Sequence, residues 1–308
     1  MNRMNRSRTF LLGAAVFLGD IAVSLAAPAS LAAQVSSSEI LYVTGRNEVR
    51  KMGTNGSGSR LFQKCFAPGV QYCTIHDPVI SPDGRRIAMV VNHVNEEGNN
   101  FSVWISSLSG SGARQVSTVA HVMSRPTWGI TRNGTELIAY ARGSRIHQVD
   151  LCRDRLPTAG KFLADGFSPS YDPTATWIAL ARANDIWKIR SNGSGETRVG
   201  STSLMEKDPR WSKSATFDKI IFLRKLSTGW KLQIMDADGS NTVQKTTDGA
   251  EMKDPDAALL PNAFTWEQDG DIYLQIGSDP PNAPKKLATG ARDPIWGHGT
   301  KRVSKTCP

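Results

Sequence analysis

Short apolar runs recur along the chain, each only a few residues long and separated from the next by a polar turn. Residues 77–91 show the unit most clearly: Val79-Ile80 is followed by Pro82-Asp83-Gly84 and then by the apolar run Ile87-Ala88-Met89-Val90-Val91. Proline presets φ for a turn, and glycine accepts a positive φ without steric cost. The pattern therefore predicts a β-hairpin.

The same unit repeats through the chain, and a proline marks the start of each repeat. The residues before these prolines are separated by 48, 43, 40, 46 and 39 positions. The six residues are Asp77, Arg125, Ser168, Asp208, Asp254 and Asp293. A period in this range, with several short strands in each unit, is the signature of β-propeller blades.

Each unit continues with a third strand and a polar fourth strand. Asp185-Ile186-Trp187-Lys188-Ile189 is a typical third strand, and the glycine-containing segment Asn192-Gly193-Ser194-Gly195 after it suits a hairpin turn. The fifth unit departs from the pattern. No clean turn follows Pro255, and we expect its aromatic strand to be displaced to Phe264-Thr265-Trp266.

The two ends of the repeat region complement each other. Residues 39–62 read as a second, third and fourth strand without a first, whereas Asp293-Pro294-Ile295-Trp296 reads as a first strand without successors. Sharing one blade between the two ends would close the ring and remove two open sheet edges. We therefore predict an all-β fold: a six-bladed β-propeller of four-stranded antiparallel blades over residues 34–303, with a short tail at 304–308.

The first 33 residues read as a secretory signal peptide. Arg3, Arg6 and Arg8 precede an apolar run at Phe10–Leu18, and small residues follow. Asp20 interrupts the apolar stretch, so a signal peptide is favoured over a retained anchor, and no transmembrane segment is expected after cleavage. The predicted location is the periplasm or the extracellular medium.

Charge and cysteine content narrow the class of protein. The net charge of +9 falls to +7 without the signal segment, and the basic residues are scattered rather than clustered. This favours an acidic polymer or an envelope or extracellular protein as partner over nucleic acid, and a monomer is expected. Cys65 and Cys73 bracket a short loop and are predicted to form a disulfide, whereas the pairing of Cys152 and Cys307 is left open.

The hairpin segment Ser81-Pro82-Asp83-Gly84-Arg85-Arg86-Ile87-Ala88 resembles the repeat signature of TolB-type six-bladed propellers, a family with WD-like repeats. The resemblance is strongest in this repeat and extends over about residues 38–303. It implies an exported binding platform, often for a protein partner and sometimes with a cation in the central channel. TolB itself has a further N-terminal domain for which this sequence leaves no room, so its role in the Tol–Pal complex is not expected to transfer as a whole.

The candidate site is the ring of residues that precede the blade-opening prolines. We expect them near the channel mouth, where each innermost strand begins, with His76 beside them. Four are aspartates, and converging carboxylates repel one another unless a hard cation such as calcium lies between them. The alternative is structural, because aspartate before proline is a common turn starter. No cofactor is otherwise expected.

No signature of a catalytic site accompanies this ring. The chain lacks Gly-x-Ser-x-Gly, and its five histidines are isolated in sequence. A non-enzymatic binding or scaffold module is therefore favoured, with a hydrolase or lyase that acts on an anionic polysaccharide at the channel as the alternative. Recurring tryptophans such as Trp128, Trp211 and Trp296 suit packing between blades. Trp230, beside Gly229 in a hairpin, is the aromatic side chain that we expect to be exposed, which makes it a candidate contact.

Overall fold

The computed structural model confirms a ring of six β-sheets with four antiparallel strands each. It describes residues 39–297, except for 46, 66–71, 96–97, 108–110, 121–122, 201, 215–216, 248–250, 259–262 and 278–283. The signal segment, His121, His298, Cys307 and the predicted tail lie outside the described residues. Within the described part of the chain, no helix has the length and apolar character needed to span a membrane.

Blade 1 contains both ends of the propeller, as the sequence predicts. Its strands, from the channel outwards, are β24 (Ala291–Gly297), β1 (Glu39–Thr44), β2 (Glu48–Gly53) and β3 (Arg60–Lys64). The closing strand β24 pairs antiparallel with β1, with Ile295 opposite Leu41 and Trp296 opposite Ile40. The ring is therefore closed by hydrogen bonds between strands that are about 250 residues apart in sequence.

The other five blades follow in chain order, and the first strand of each lines the channel. Blade 2 comprises β4 (Tyr72–Ile80), β5 (Arg86–Asn95), β6 (Gly98–Ser107) and β7 (Arg114–Gln115). Blade 3 comprises β8 (Met123–Ile130), β9 (Glu136–Arg142), β10 (Arg145–Asp150) and β11 (Lys161–Asp165). Blade 4 comprises β12 (Phe167–Tyr171), β13 (Trp177–Arg182), β14 (Asp185–Arg190) and β15 (Thr197–Arg198). Blade 5 comprises β16 (Glu206–Trp211), β17 (Lys219–Leu226), β18 (Gly229–Asp236) and β19 (Val243–Gln244). Blade 6 comprises β20 (Met252–Ala257), β21 (Ala263–Gln268), β22 (Asp271–Ile276) and β23 (Lys285–Thr289).

The prediction for the fifth repeat, which forms blade 6, is corrected in one respect. Phe264-Thr265-Trp266 lies in the second strand, β21, and is not a displaced first strand. The first strand is Met252–Ala257, in its expected place before the turn. Its sequence, MKDPDA, is polar because this strand faces the channel, so an apolar pattern could not reveal it.

The hydrophobic core is divided among the six interfaces between neighbouring blades. At the interface of blades 2 and 3, for example, Val90 and Val103 pack with Trp128 and Tyr140. Trp128, Trp211 and Trp296 occupy equivalent positions in three blades and are only 3–4% exposed. This confirms that the recurring tryptophans pack between blades, where they bury large apolar surfaces.

A disulfide joins blade 1 to blade 2. Cys65 follows β3 and Cys73 lies in β4, and the two are bonded with a Cα–Cα distance of 6.0 Å. The predicted pair is therefore present. It fixes the connection through which the chain leaves blade 1 and enters blade 2.

The faces of the ring can be defined from the first hairpin of each blade. The turn face carries the loops between the first and second strands, such as residues 81–85 and 131–135. On the opposite face, the chain enters each blade from the preceding one. The innermost strands run through the channel from the opposite face to the turn face.

Candidate functional site: the central channel

The six ring residues lie at β-bulges in the innermost strands. The register with the second strand shifts at each of these positions, for example between His76 and Val79 in blade 2 and between Lys207 and Arg210 in blade 5. Five of the six residues take a positive φ of 47–53°, namely Asp77, Ser168, Asp208, Asp254 and Asp293. Aspartate tolerates this left-handed conformation better than most residues, which gives the aspartates a local structural reason as well as a chemical one.

The bulges lie inside the strands, which corrects the expected position at the strand start. Asp77 is the sixth residue of β4, and Asp208, Asp254 and Asp293 are each the third residue of their strands. The ring residues therefore lie one to five residues beyond the first residue of the innermost strands. The reason is that the chain already pairs in the strand before it reaches the bulge.

Three of the four aspartates converge from blades 1, 2 and 6. Asp77, Asp254 and Asp293 each offer a carboxylate oxygen within 4.8 Å of the others. The backbone N–H of Asp77 also donates to Oδ2 of Asp293 across 3.2 Å. We refer to these three residues as the acidic cluster.

Burial, together with electrostatic repulsion, raises the pKa of two carboxyl groups in the acidic cluster. Burial and the charge of Asp293 raise the pKa of Asp77 to about 7. Burial and the charges of Asp293 and Asp77 also raise the pKa of Asp254 well above its usual range. The cluster thus tends to hold a proton near neutrality, and a hard cation could replace that proton.

The other ring residues make separate contacts. The Ser168 hydroxyl donates to Oδ1 of Asp208 across 2.9 Å, and Lys207 Nζ lies 3.8 Å from Oδ2 of the same aspartate. Arg125 reaches across the channel, donates through Nη2 to the carbonyl of Pro294 at 3.0 Å, and lies 3.9 Å from Oδ1 of Asp254. Of the predicted ring, the structure brings together one triad, one pair and a buried arginine.

His76 contacts the acidic cluster through Arg292. The Nη1 group of Arg292 lies 2.9 Å from Nδ1 of His76 and donates to Oδ2 of Asp293 at 2.7 Å. Because arginine only donates, Nδ1 must accept, and the proton on Nε2 is directed at the Thr74 hydroxyl 2.8 Å away. Burial and the charge of Arg292 lower the pKa of His76. This histidine is therefore neutral near pH 7 and positions Arg292.

A second layer of channel residues lies two positions after the ring, on the side of the turn face. Val79, Thr127, Ser170, Arg210, Asp256 and Ile295 line a cavity of about 530 Å³ that opens to the turn face. Sequence reasoning treated these positions only as parts of short strands. The available signal was the strand period of two, which places residues two apart on the same face of a strand.

Charged groups in this layer differ sharply in how well they are paired. Lys213 Nζ donates to Oδ2 of Asp256 at 2.5 Å, and the same oxygen accepts the Trp296 backbone N–H at 2.8 Å. Burial would raise the pKa of Asp256, but Lys213 and Arg125 outweigh it, and the pKa lies below the usual range. Arg210 is 5% exposed, and burial together with the charge of Arg125 lowers its pKa to about 10.

The predicted exposure of Trp230 is wrong. Its side chain is only 8% exposed, and Lys207 Nζ and Lys225 Nζ lie 4.2 and 5.4 Å from its ring centroid. Lysine stems can cover apolar surface while their charged ends stay in water, so the neighbouring hairpin does not expose this ring.

The fold of this chain is similar to that of several solved structures. TolB from Acinetobacter baumannii superposes with a TM-score of 0.64 at 17% identity, over 85% of this chain and 67% of that chain. The fold is that of the TolB-type six-bladed propeller. A putative TolB from Agrobacterium tumefaciens matches with a TM-score of 0.57 at 16% identity, over 84% of this chain and 96% of that chain. A chain in the crystal structure of a nidogen/laminin complex also matches, with a TM-score of 0.63 at 10% identity, over 86% of this chain and 100% of that chain.

The sequence likeness to TolB is local. The Tol-Pal system protein TolB of Anaeromyxobacter dehalogenans strain 2CP-1 is 35% identical over 69 residues, which are 22% of this chain and 15% of that relative. The protein of the same name from strain 2CP-C is 36% identical over the same length. No protein-family profile matches the chain. The match thus spans less than a sixth of the curated TolB proteins.

Proposed function

We propose that this chain is an exported, periplasmic or secreted, TolB-like propeller that acts as a non-enzymatic binding or scaffold module. Its partner is a protein or another envelope component, and the contact is made at the channel. The similar curated proteins are named as Tol-Pal system proteins, which supports an envelope role.

The observation that carries the proposal is the convergence of charged side chains in the channel. Asp77, Asp254, Asp293 and Arg125 come from four different blades, and all are directed towards the axis. Burying charges is costly unless they are paired or serve a ligand, and the repelling carboxylates of the acidic cluster are a cost to the fold. Channel binding gives these residues a function that ring closure alone does not require.

The alternative of a polysaccharide hydrolase or lyase finds less support. Within the described residues, His76 is the histidine at the carboxylates, and both of its ring nitrogens are engaged by Arg292 and Thr74. His93 and His147 contact Trp104 and Tyr140 in blades 2 and 3 instead. A binding function therefore accounts better for the channel.

The test is affinity capture from an envelope extract with matched charge variants. Asp208→Asn and Asp254→Asn change the channel but keep a side chain that tolerates a positive φ. Asp165→Asn on β11 removes a carboxylate whose side chain is 68% exposed at the outer edge of blade 3 and serves as the control. We expect wild type and Asp165→Asn to retain one specific partner and the channel variants to lose at least nine-tenths of it.

Equal capture by all variants, with cooperative melting of each confirmed, would contradict binding at the channel. Turnover of an acidic polysaccharide by wild type that disappears in Asp208→Asn or His76→Ala would establish the enzymatic alternative instead.

A further inference from the structure

The cavity on the turn face is distinct from the acidic cluster. Asp77, Asp254 and Asp293 do not line the cavity. Arg125 contributes to both sites, because its side chain lines the cavity and its Nη1 lies 3.9 Å from Oδ1 of Asp254. Its volume of about 530 Å³ suits a small organic molecule. An inference about this cavity is therefore independent of the function proposed for the acidic cluster.

Hydrogen bonds between blades explain three of the six residues in the layer that lines the cavity. The Thr127 hydroxyl accepts the backbone N–H of Tyr171, and the Ser170 hydroxyl accepts that of Trp211, at 3.0 and 2.9 Å. Asp256 accepts the N–H of Trp296 in the same way. In each case, a side-chain oxygen of one blade bonds the backbone of the next. These three residues therefore have a structural role, because each links its blade to the next one.

Arg210 occupies the equivalent position in blade 5 and cannot make this bond, because a guanidinium group only donates. Val79 and Ile295 do not make it either, but they supply apolar surface to the cavity wall. The buried guanidinium group of Arg210 provides neither this hydrogen bond nor an apolar surface. Its presence in the layer calls for an acceptor.

The guanidinium group of Arg210 is satisfied on one side only. Its Nη1 donates to the carbonyls of Pro209 and Ser168 at 2.7 and 3.4 Å, whereas Nε and Nη2 are buried without a hydrogen-bond partner. In a planar guanidinium group, the Nε–Nη2 edge lies opposite Nη1 and carries two parallel N–H bonds. This is one of the edges that holds a carboxylate bidentately.

The charge and polarity of the walls fit the same ligand. Four cationic side chains line the cavity (Arg125, Arg132, Arg210 and Lys213) against two anionic ones (Asp172 and Asp256). Asp256 is paired with Lys213, and Asp172 accepts N–H groups within its own turn. The remaining walls include Ile80, Trp128 and Ile130, which suit an apolar group.

We propose that this cavity binds a small organic carboxylate with an apolar body, held bidentately by the Nε–Nη2 edge of Arg210. This edge makes no hydrogen bond in the free protein, so a carboxylate that binds there replaces no hydrogen bond of that edge. The apolar body packs against Trp128 and Ile295. A free carboxylic acid and the C-terminal residue of a peptide both offer this chemistry.

The test compares probes that differ only in charge, by isothermal titration calorimetry on the full chain. Phenylacetate is the carboxylate probe and phenylacetamide its neutral counterpart. We expect phenylacetate to bind at least tenfold more tightly. A tripeptide ending in phenylalanine, with a free or an amidated C-terminus, identifies the source. Tighter binding of the free peptide than of phenylacetate indicates a peptide terminus, and the reverse order indicates a small acid.

Variants then locate the carboxylate. Arg210→Lys keeps the charge but loses the bidentate edge, and we expect at least a tenfold weaker affinity for phenylacetate. Arg132→Gln removes an exposed cation at the cavity mouth and should change the affinity less than threefold. Val79→Phe narrows the cavity without altering Arg210 and should weaken phenylacetate binding, so the proposal stays testable if the Arg210 variant does not fold. Absence of phenylacetate binding, equal affinity for the two probes, or unchanged binding by Arg210→Lys would overturn the proposal.

Discussion

Trp296→Ala tests whether the closing strand stabilises the whole ring. Trp296 lies in β24, is 3% exposed, and packs with Ile40 and Tyr42 of blade 1 and with Leu274 of blade 6. Removing it leaves a cavity in blade 1, which is built from both ends of the propeller. The variant should therefore loosen the pairing of β24 with β1 as well as lower stability.

The expected loss follows from burial. Truncating a fully buried tryptophan to alanine costs about 3–5 kcal/mol, because both the transfer free energy and the cavity count against the folded state. The Trp296 indole N–H is buried without a hydrogen-bond partner, so removing it also removes a small desolvation penalty. We therefore expect the free energy of unfolding to fall by about 3 kcal/mol. That is a large share of the roughly 5–15 kcal/mol by which proteins are stable.

The assay combines urea unfolding with amide hydrogen exchange, and Trp128→Ala is the control. Trp128 occupies the equivalent position in blade 3 and is 4% exposed, so its global cost should be similar. Only Trp296→Ala should increase exchange in β1, where Leu41 and Val43 lie opposite Ile295 and Arg292. A loss below about 1 kcal/mol, or the same exchange of β1 in both variants, would refute the idea that the closing strand stabilises the whole ring.

Three further predictions concern the channel and the disulfide. First, the raised pKa of Asp77, about 7, means that its native carboxyl holds a proton that the unfolded chain releases above about pH 4. The stability that this carboxyl group contributes is complete below its unfolded pKa and is lost as the pH rises towards 7. Asp77→Asn should therefore flatten the fall in unfolding free energy over this range, measured by urea titrations at several pH values. An unchanged slope would argue against protonation of the cluster. Second, calcium should raise the melting temperature, more at pH 8 than at pH 6, and a chelator should reverse this. Asp254→Asn should abolish the effect, and calcium stabilisation of that variant equal to wild type would exclude the acidic cluster as the site. Third, replacing Cys65 and Cys73 by serine opens a loop with a sequence separation of 8 and should cost about 2–3 kcal/mol. Wild type and the serine variant should unfold alike in denaturant when both are measured in reductant, and a difference between them would show that the cost is not that of the cross-link.

Much of the channel could not be read from the sequence, because contacts between blades depend on the reach of side chains across the ring. The sequence placed Asp77, Asp208, Asp254 and Asp293 at one position of the repeat. It could not show that Asp208 pairs with Ser168 while the other three converge. The surroundings of Arg210 could not be predicted from the sequence either, since its hydrogen-bond partner Ser168 lies 42 positions earlier in the chain.

The sequence by itself determined the blade count, the closure of the ring by its two ends and the Cys65–Cys73 bond. These features depend on local signals: turn residues, a strand period of two and the spacing of repeats. Only the tertiary structure decided which charges meet in the channel, why Trp230 is covered, and where a buried arginine keeps a free edge. The reason is that side chains from several blades together determine which charged groups are buried and which are paired, and the sequence of a single repeat does not contain those neighbours.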